Sequence, residues 1–447
     1  MSNSNNILNT LSDLLIRAKA KGADACDVIH IDSTSIAVAQ RLGKPEKLER
    51  SESVDIGLRV VLGKSQAIVS SSDISPEALE ELSGRAVAMA RSVPKDPYCG
   101  LADPEQLVTK ILDLESCDPT EPTVETLVGW ANRAENAARE VKGVTNSEGA
   151  EANWGQATIS IAASNGFSRS YSRSHYSLST SVVAGDGLAM ERDYDYSGAV
   201  HANDLRAPEE IGKTAGENAV RRLNPKKVDT NHVPVIFDDR AARSLISHFA
   251  SAINGSSVAR DTSFLKDMMG QRVFAKGINI IDDPHRLRGL RSKPFDGEGL
   301  PGQQLHIIED GRLTTWFLDL RSARQLKLEP TGHASRNTSS PPSPTANNLY
   351  IEPGRLSPSE LINEINKGFY VTELIGFGVN GLTGDYSRGA SGFWIENGEI
   401  TYPVSEVTIA GNLKEMFGCL TPANDLQFRY GIDAPTIRID GLTVAGK

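Results

Sequence analysis

The chain has 447 residues, of which 39% are apolar and 23% charged, with 39 glycines; this ordinary globular balance excludes a disordered, collagenous or coiled-coil chain. At about 150 residues per domain, the length fits three ordinary domains or two large ones. Lys and Arg number 47 against 57 Asp and Glu, and the resulting net charge of −10 repels phosphate backbones, so no nucleic-acid partner is expected.

The opening Met1–Asn6 lacks the basic stretch and continuous apolar run of a secretion signal. From Ile7 the residues Leu8, Leu11, Leu14, Leu15 and Ala18 recur at three and four spacing, which predicts a helix ending near Gly22. Val28–Ile31, Ser35–Ala39, Val54–Val61 and Ala67–Val69 then read as the strands of an antiparallel meander. Helical spacing returns over Pro76–Arg91, with Ser75 as cap. Pro94–Pro122 reads as a loop with one short helix, and Thr123–Val141 as a long amphipathic helix. Asn165-Gly166 marks a hairpin between Ala157–Ala162 and Phe167–Ser172; the ribbon continues over Ser177–Val183 and Leu188–Tyr196, and a helix follows over Pro208–Leu223. Helix and meander thus occur twice, predicting an N-terminal α+β domain of two helix/meander halves. The polar, basic stretch Arg221–Lys227 places the boundary near 226, with residues 1–226 forming the first domain and 227–447 the second. The second half, starting with Val233–Phe237, is expected to be mostly β. Glu309-Asp310-Gly311 and Glu396-Asn397-Gly398 are read as two turns of one type. Thr331–Tyr350 shows no period and reads as a long functional loop, mobile in the free chain.

Ordinary catalytic motifs are missing. The eight histidines never share a helix turn or strand face, and neither His-Glu-x-x-His nor Gly-x-Ser-x-Gly occurs. Gly63-Lys64-Ser65 lacks the preceding glycine of a phosphate loop and reads as a hairpin turn. Cys26, Cys99, Cys117 and Cys419 lie far apart with no Cys-x-x-Cys pair, which fits a reducing compartment. With no apolar run of about 18 residues, the expectation is a soluble, cytoplasmic chain with no membrane partner. Two regions stand apart. Asp238-Asp239 open a helix over Ala241–Asn254 with His248 at the edge of its apolar stripe. The loop from Thr331, carrying His333, Arg336 and Asn337, pairs with Gly381–Ser387, carrying Thr383 and Asp385, as two polar walls that could hold an extended peptide by its backbone. His248, His333, Arg336, Asn337, Thr383 and Asp385 are therefore the candidate peptide-channel residues.

Several strings, in order along the chain, carry a resemblance: Asn254-Gly255-Ser256-Ser257-Val258 with Phe264-Leu265, Asn279-Ile280-Ile281-Asp282-Asp283-Pro284, Phe295-Asp296-Gly297-Glu298-Gly299, Pro330-Thr331-Gly332, Asn347-Asn348-Leu349-Tyr350-Ile351-Glu352-Pro353-Gly354 and Leu442-Thr443-Val444-Ala445-Gly446. Together they resemble the TldD/PmbA family, and within it the PmbA (TldE) branch. The resemblance implies a subunit of a cytoplasmic bacterial zinc metalloprotease system of two homologous chains, which trims unfolded or modified peptides such as antibiotic precursors. The family has also been called a modulator of DNA gyrase. In the TldD branch a helix carries His-Glu-x-x-x-His, and a cysteine near the C-terminus completes the zinc site. The corresponding helix here reads His248-Phe249-Ala250-Ser251-Ala252-Ile253, and Arg429-Tyr430-Gly431 stands where the cysteine would align.

One imidazole without a general base cannot build a hydrolytic zinc site. Cys419, beside Phe417 and Leu420, is expected to be a small buried hydrophobe rather than a substitute ligand. The expectation is a chain with no catalytic residue, metal ligand or cofactor of its own, acting on peptide substrates with a TldD-like partner that holds the zinc. The alternative is a regulatory protein, such as a modulator of DNA gyrase, that acts without proteolysis.

Overall fold

A computed structural model describes residues 2–447, and the side chains of all of these except residues 2–5 and 188. In the first half the order is α1 (Ser2–Ala20), β1 (Ala25–Arg41), β2 (Lys44–Leu62), β3 (Ser65–Ser71), α2 (Pro76–Ser92), α3 (Val124–Arg139), β4 (Val144–Ala163), β5 (Ser168–Ala184), β6 (Glu191–Ala199) and α4 (Pro208–Arg221). The α+β class and the two helix/meander halves of the sequence reading are present. The halves do not form separate sheets. Their strands join, through antiparallel β1 and β4, into one six-stranded sheet of order β3-β2-β1-β4-β5-β6.

Local chemistry explains the elements. Ser75 caps α2, its side chain accepting from Ala78 N, with Pro76 in the first turn; Thr123 caps α3 in the same way from Thr126 N. Leu11, Leu14 and Ala18 of α1 and Leu79, Leu82 and Ala86 of α2 bury against Val28, Ile56, Leu58 and Val60 of the sheet. Leu127, Ala131 and Ala134 of α3, with Ile211 of α4, cover the other half of the same face. One expectation needs correction: Val28–Ile31 and Ser35–Ala39 are one strand, β1, paired without a break to β4 from Asp27↔Ala163 to Gln40↔Ala150. Its partner β2 starts at Lys44, ten residues before the apolar run, and those ten residues are exposed. The backbone ladder to β1 holds this charged stretch in place of apolar burial.

The second half contains β7 (Asn231–Phe237), α5 (Asp239–Ala252), α6 (Gly255–Ala259), β8 (Ile280–Asp283), β9 (Leu305–Glu309), β10 (Arg312–Leu313), α7 (Leu320–Leu326), β11 (Ala334–Ser335), β12 (Ser343–Pro344), β13 (Asn348–Ile351), α8 (Pro358–Asn363), β14 (Lys367–Ile375), β15 (Asp385–Glu396), β16 (Glu399–Asn412), α9 (Leu413–Gly418), β17 (Leu420–Pro422), β18 (Ile432–Asp433) and β19 (Ile437–Ala445). It is β-rich. A six-stranded sheet of order β16-β15-β14-β7-β19-β17 closes through an added β16–β19 pairing into a barrel, and β10-β9-β8-β13-β18 form a second sheet. The two Glu-x-Gly turns match as expected, with φ of 45° and 79° at Asp310 and Gly311 and 52° and 80° at Asn397 and Gly398.

The sheet face not covered by helices turns toward the second half. Ile29, Ile159, Ile161 and Phe167 pack there around Phe295, whose ring meets Phe167 and Tyr171 edge-on at 5.1 Å each. Above this contact the two halves diverge and enclose a cleft. Among the described residues no helix is long and apolar enough to cross a membrane.

Candidate functional site

Helix α5 forms one wall. Asp238 caps it from Ala241 N at 2.8 Å, and the stripe Ala242, Leu245, Ile246, Phe249 and Ala252 is buried against the barrel core. The opposite face carries Arg240, Arg243, Ser244 and His248. The His248 ring lies edge-on to Tyr386 at 6.2 Å, and burial first, then the nearby Arg388 guanidinium, push it down to about 4, so it is neutral at pH 7. His248 Nε2, Tyr386 Oη and Arg388 Nε are all buried without a hydrogen-bond partner.

The residues present do not fit a zinc ion. Phe249, where the family resemblance would place a general base, is fully buried against Phe274 and Phe417 at 5.0 and 6.0 Å. Ile253, at the position of a second ligand, caps the helix and lies wholly inside the core. At the third position, the N–H groups of Arg429, Tyr430 and Gly431 all donate to the Asp433 carboxylate at 2.9, 2.8 and 3.1 Å, and the Tyr430 ring stacks under Arg243. Among the described residues no three His, Cys, Asp or Glu side chains converge. Cys419 overturns its expected burial. It is exposed at the C-cap of α9, its thiol facing the Glu415 and Asp440 carbonyls, because Leu413, Met416, Phe417 and Leu420 are the residues of that segment that turn inward.

The cleft itself is a cavity of about 690 Å³ between Ile29, Ile159, Ile161, Tyr171, Arg173 and His175 of the first half and residues 290–293, 295–297, 334–336 and 345–347 of the second. A further cavity of about 370 Å³, lined by Arg192, Asp193, Arg240, Arg243 and Arg388, shares Tyr430 with it. Lys293 Nζ, on the cleft wall, donates to Ala334 O at 3.0 Å.

The six candidate channel residues do not come together. His333 is 1% exposed, with Nε2 at 3.0 Å from Asp282, Nδ1 at 2.8 Å from Thr331 O and its ring stacked on Phe317, so it serves the core. Arg336 borders the cleft while its guanidinium crosses to the first half and pairs with Asp27 at 2.8 Å. Asn337 accepts from Ser339 N and Ser340 N in an exposed turn. Thr383 and Asp385 bond each other at 2.6 Å on a separate exposed turn held by Asn412. His248 sits near Arg388, which lines the second cavity.

The sequence reading missed Arg173, His175, Arg243, Arg291, Lys293 and Tyr430. A signal for two of them was present, since Tyr171, Arg173 and His175 alternate with serines and so share one strand face. Which face lined a cavity depended on the second half.

Family models described as PmbA/TldA metallopeptidase domain 1, central domain and C-terminal domain match residues 26–90, 117–223 and 230–446. The metalloprotease PmbA of Escherichia coli O157:H7 is 38% identical over 95% of this chain and 93% of its own length. The chain belongs to the PmbA/TldD family. Its fold agrees closely with other members. A Bacteroides thetaiotaomicron protein described as a candidate modulator of DNA gyrase superposes with a TM-score of 0.90 at 26% identity, covering 98% of both chains. TldE of Thermococcus kodakarensis does so at 0.87 and 21% identity, covering 98% of this chain and all of the other. In this PmbA/TldD member, the cleft and the α5 face beside it are the candidate site.

Proposed function

We propose that this chain is the non-catalytic, TldE-type subunit of a zinc metalloprotease whose metal is held by a TldD-like partner, and that the pair degrades or matures unfolded or modified peptides in the cytoplasm. The observation that carries the reading is the side-chain set along α5. A hydrolytic zinc needs converging neutral imidazoles or thiolates and a carboxylate for the attacking water; here His248 stands alone, with Phe249 and Ile253 committed to the core. The neighbouring Arg388 adds a positive charge that opposes a cation. What the chain keeps is a long interdomain cleft, which fits a wall of a shared chamber. Pairing about a pseudo-twofold axis through the C-terminal halves would let the partner supply the chemistry.

The test is zinc content and peptide cleavage of the purified chain, alone and after mixing with a TldD-like homologue. Expected are substoichiometric zinc and no cleavage alone, and chelator-sensitive cleavage by the co-purified pair. Chelator-sensitive cleavage by the isolated chain that disappears in His248→Ala would overturn the proposal, as would failure of the two chains to associate. A role in modulating DNA gyrase, the description attached to a structural relative, would instead show as gyrase inhibition by this chain alone.

A further inference from the structure

The net charge of −10 conceals a local reversal. Around the two joined cavities, Arg222 and Arg240 are neutralised by Asp193 and Glu373. Arg173, Arg243, Arg291, Lys293 and Arg388 are not, and among the described residues none of them makes an ion pair. Their contacts are neutral: Arg243 donates to Tyr196 Oη at 3.3 Å over the Tyr430 ring, Arg291 reaches the Ala346 carbonyl at 3.5 Å, and Arg388 Nε is buried with no partner. Desolvation in the cleft pulls the Arg291 guanidinium below its ordinary value; Asp282 and Asp433 oppose this, while Arg243 and Arg173 push it further down, so the three arginines sense one another.

Asp282, Asp296 and Asp433 lie close by without forming an ion pair with any of the five cations, and like charges brought together from two halves of a fold in excess of such carboxylates cost stability that a bound anion relieves. Arg173 and Arg291 are exposed and can reach an incoming ligand. The floor between them is apolar and aromatic, made of Ile29, Ile159, Ile161 and Tyr171.

We propose that this cleft binds the carboxylate groups of an extended peptide, held by Arg173, Arg243 and Arg291 over the isoleucine floor. The proposal rests on the reading that the chain handles peptides and adds a charge preference located in this subunit. The guanidinium fork suits a carboxylate through two parallel N–H donors. The aliphatic floor accepts intervening side chains, which a phosphodiester strand lacks, and the overall negative charge works against a polyanion. The carboxylate can be a C-terminus or an Asp or Glu side chain, and the experiment separates the two.

Fluorescence anisotropy on the full-length chain alone, at low ionic strength, would follow an N-terminally labelled hexapeptide of alternating Val and Glu. Its arms are the free acid, the C-terminal amide, and the Val-Gln peptide with and without amidation. Binding is expected to be at least about tenfold weaker for the amidated Val-Gln peptide, which has no carboxylate, and to weaken with added salt. Retained affinity in the amidated Val-Glu peptide assigns side-chain recognition; retained affinity in the free-acid Val-Gln peptide assigns the C-terminus. The Arg173→Gln/Arg291→Gln double variant is expected to lose about tenfold in affinity with an unchanged melting temperature, whereas Arg85→Gln on α2 is expected to lose none. Should the double variant fold poorly, Arg243→Gln alone gives the same reading. Equal binding of the uncharged peptide, no binding of any peptide, or tighter binding of a single-stranded oligonucleotide would each overturn the proposal. Because no partner is present, loss of cleavage or association in the mixed system removes the proposed function without altering this result.

Discussion

His248 illustrates how one side chain carries both a family likeness and a departure from it. Burial lowers its imidazole from 6.5 to about 4. As pH falls through 6.5 the unfolded chain takes up a proton that the folded chain refuses until about 4, so the stability present above 6.5 drains away across that window. His248→Gln removes this titration. The variant is expected to show a smaller drop in melting temperature than the parent between about pH 7 and about pH 5; identical drops in differential scanning fluorimetry would reject the assignment. The residue was legible in the sequence as the first position of a broken motif. Its surroundings were not: Tyr386 and Arg388 come from a strand about 140 residues away, and distant pairing leaves no local signal.

At the scale of elements, the segment Thr331–Tyr350 departs most from expectation. It is not a free polar loop. It contains the short β11–β12 hairpin and ends in β13, and it is pinned at three places: His333 on Asp282, Asn347 on Asp282 through its N–H at 2.8 Å, and Arg336 on Asp27. Asp27 also pairs with Arg59 of β2, so two strands of the first half hold the tip of a loop from the second. The close approach requires Gly57, because a Cβ there would stand 2.1 Å from Thr338 O. Gly57→Ala is expected to cost about 1–3 kcal/mol through overpacking and to raise the rate of limited proteolysis between residues 336 and 345. Unchanged proteolysis would show that the loop is held by other contacts. Polar composition without periodicity does predict absence of regular structure, but buried ion pairs can order such a segment as firmly as apolar packing, and composition does not reveal them.

At the scale of the whole molecule, the two halves meet through buried charge as well as through Phe295. Asp193 on β6 receives Arg222 from the end of α4 and Arg240 from the start of α5, at 3.3 and 2.9 Å, and is 4% exposed. Asp193→Ala would take the nearest carboxylate from the Arg240 guanidinium in a desolvated interface, while Arg222 keeps Glu373 at 2.6 Å; the expected cost is about 3 kcal/mol, with one cooperative thermal transition separating into two as the halves uncouple. A single transition at the parental temperature would mean that the apolar contact suffices. The sequence by itself determined the class of fold, the paired helix/meander pattern, the helix caps at Ser75 and Thr123 and the two matched Gly turns, because each depends on residues within a few positions of one another. Only the tertiary structure decided that the two meanders share one sheet, that His333 is core while Arg173 and Arg291 face a cleft, and that the long loop is bolted to the first half. Those outcomes depend on which surfaces meet across hundreds of residues, where burial and charge pairing are settled by the assembled fold and not by local periodicity.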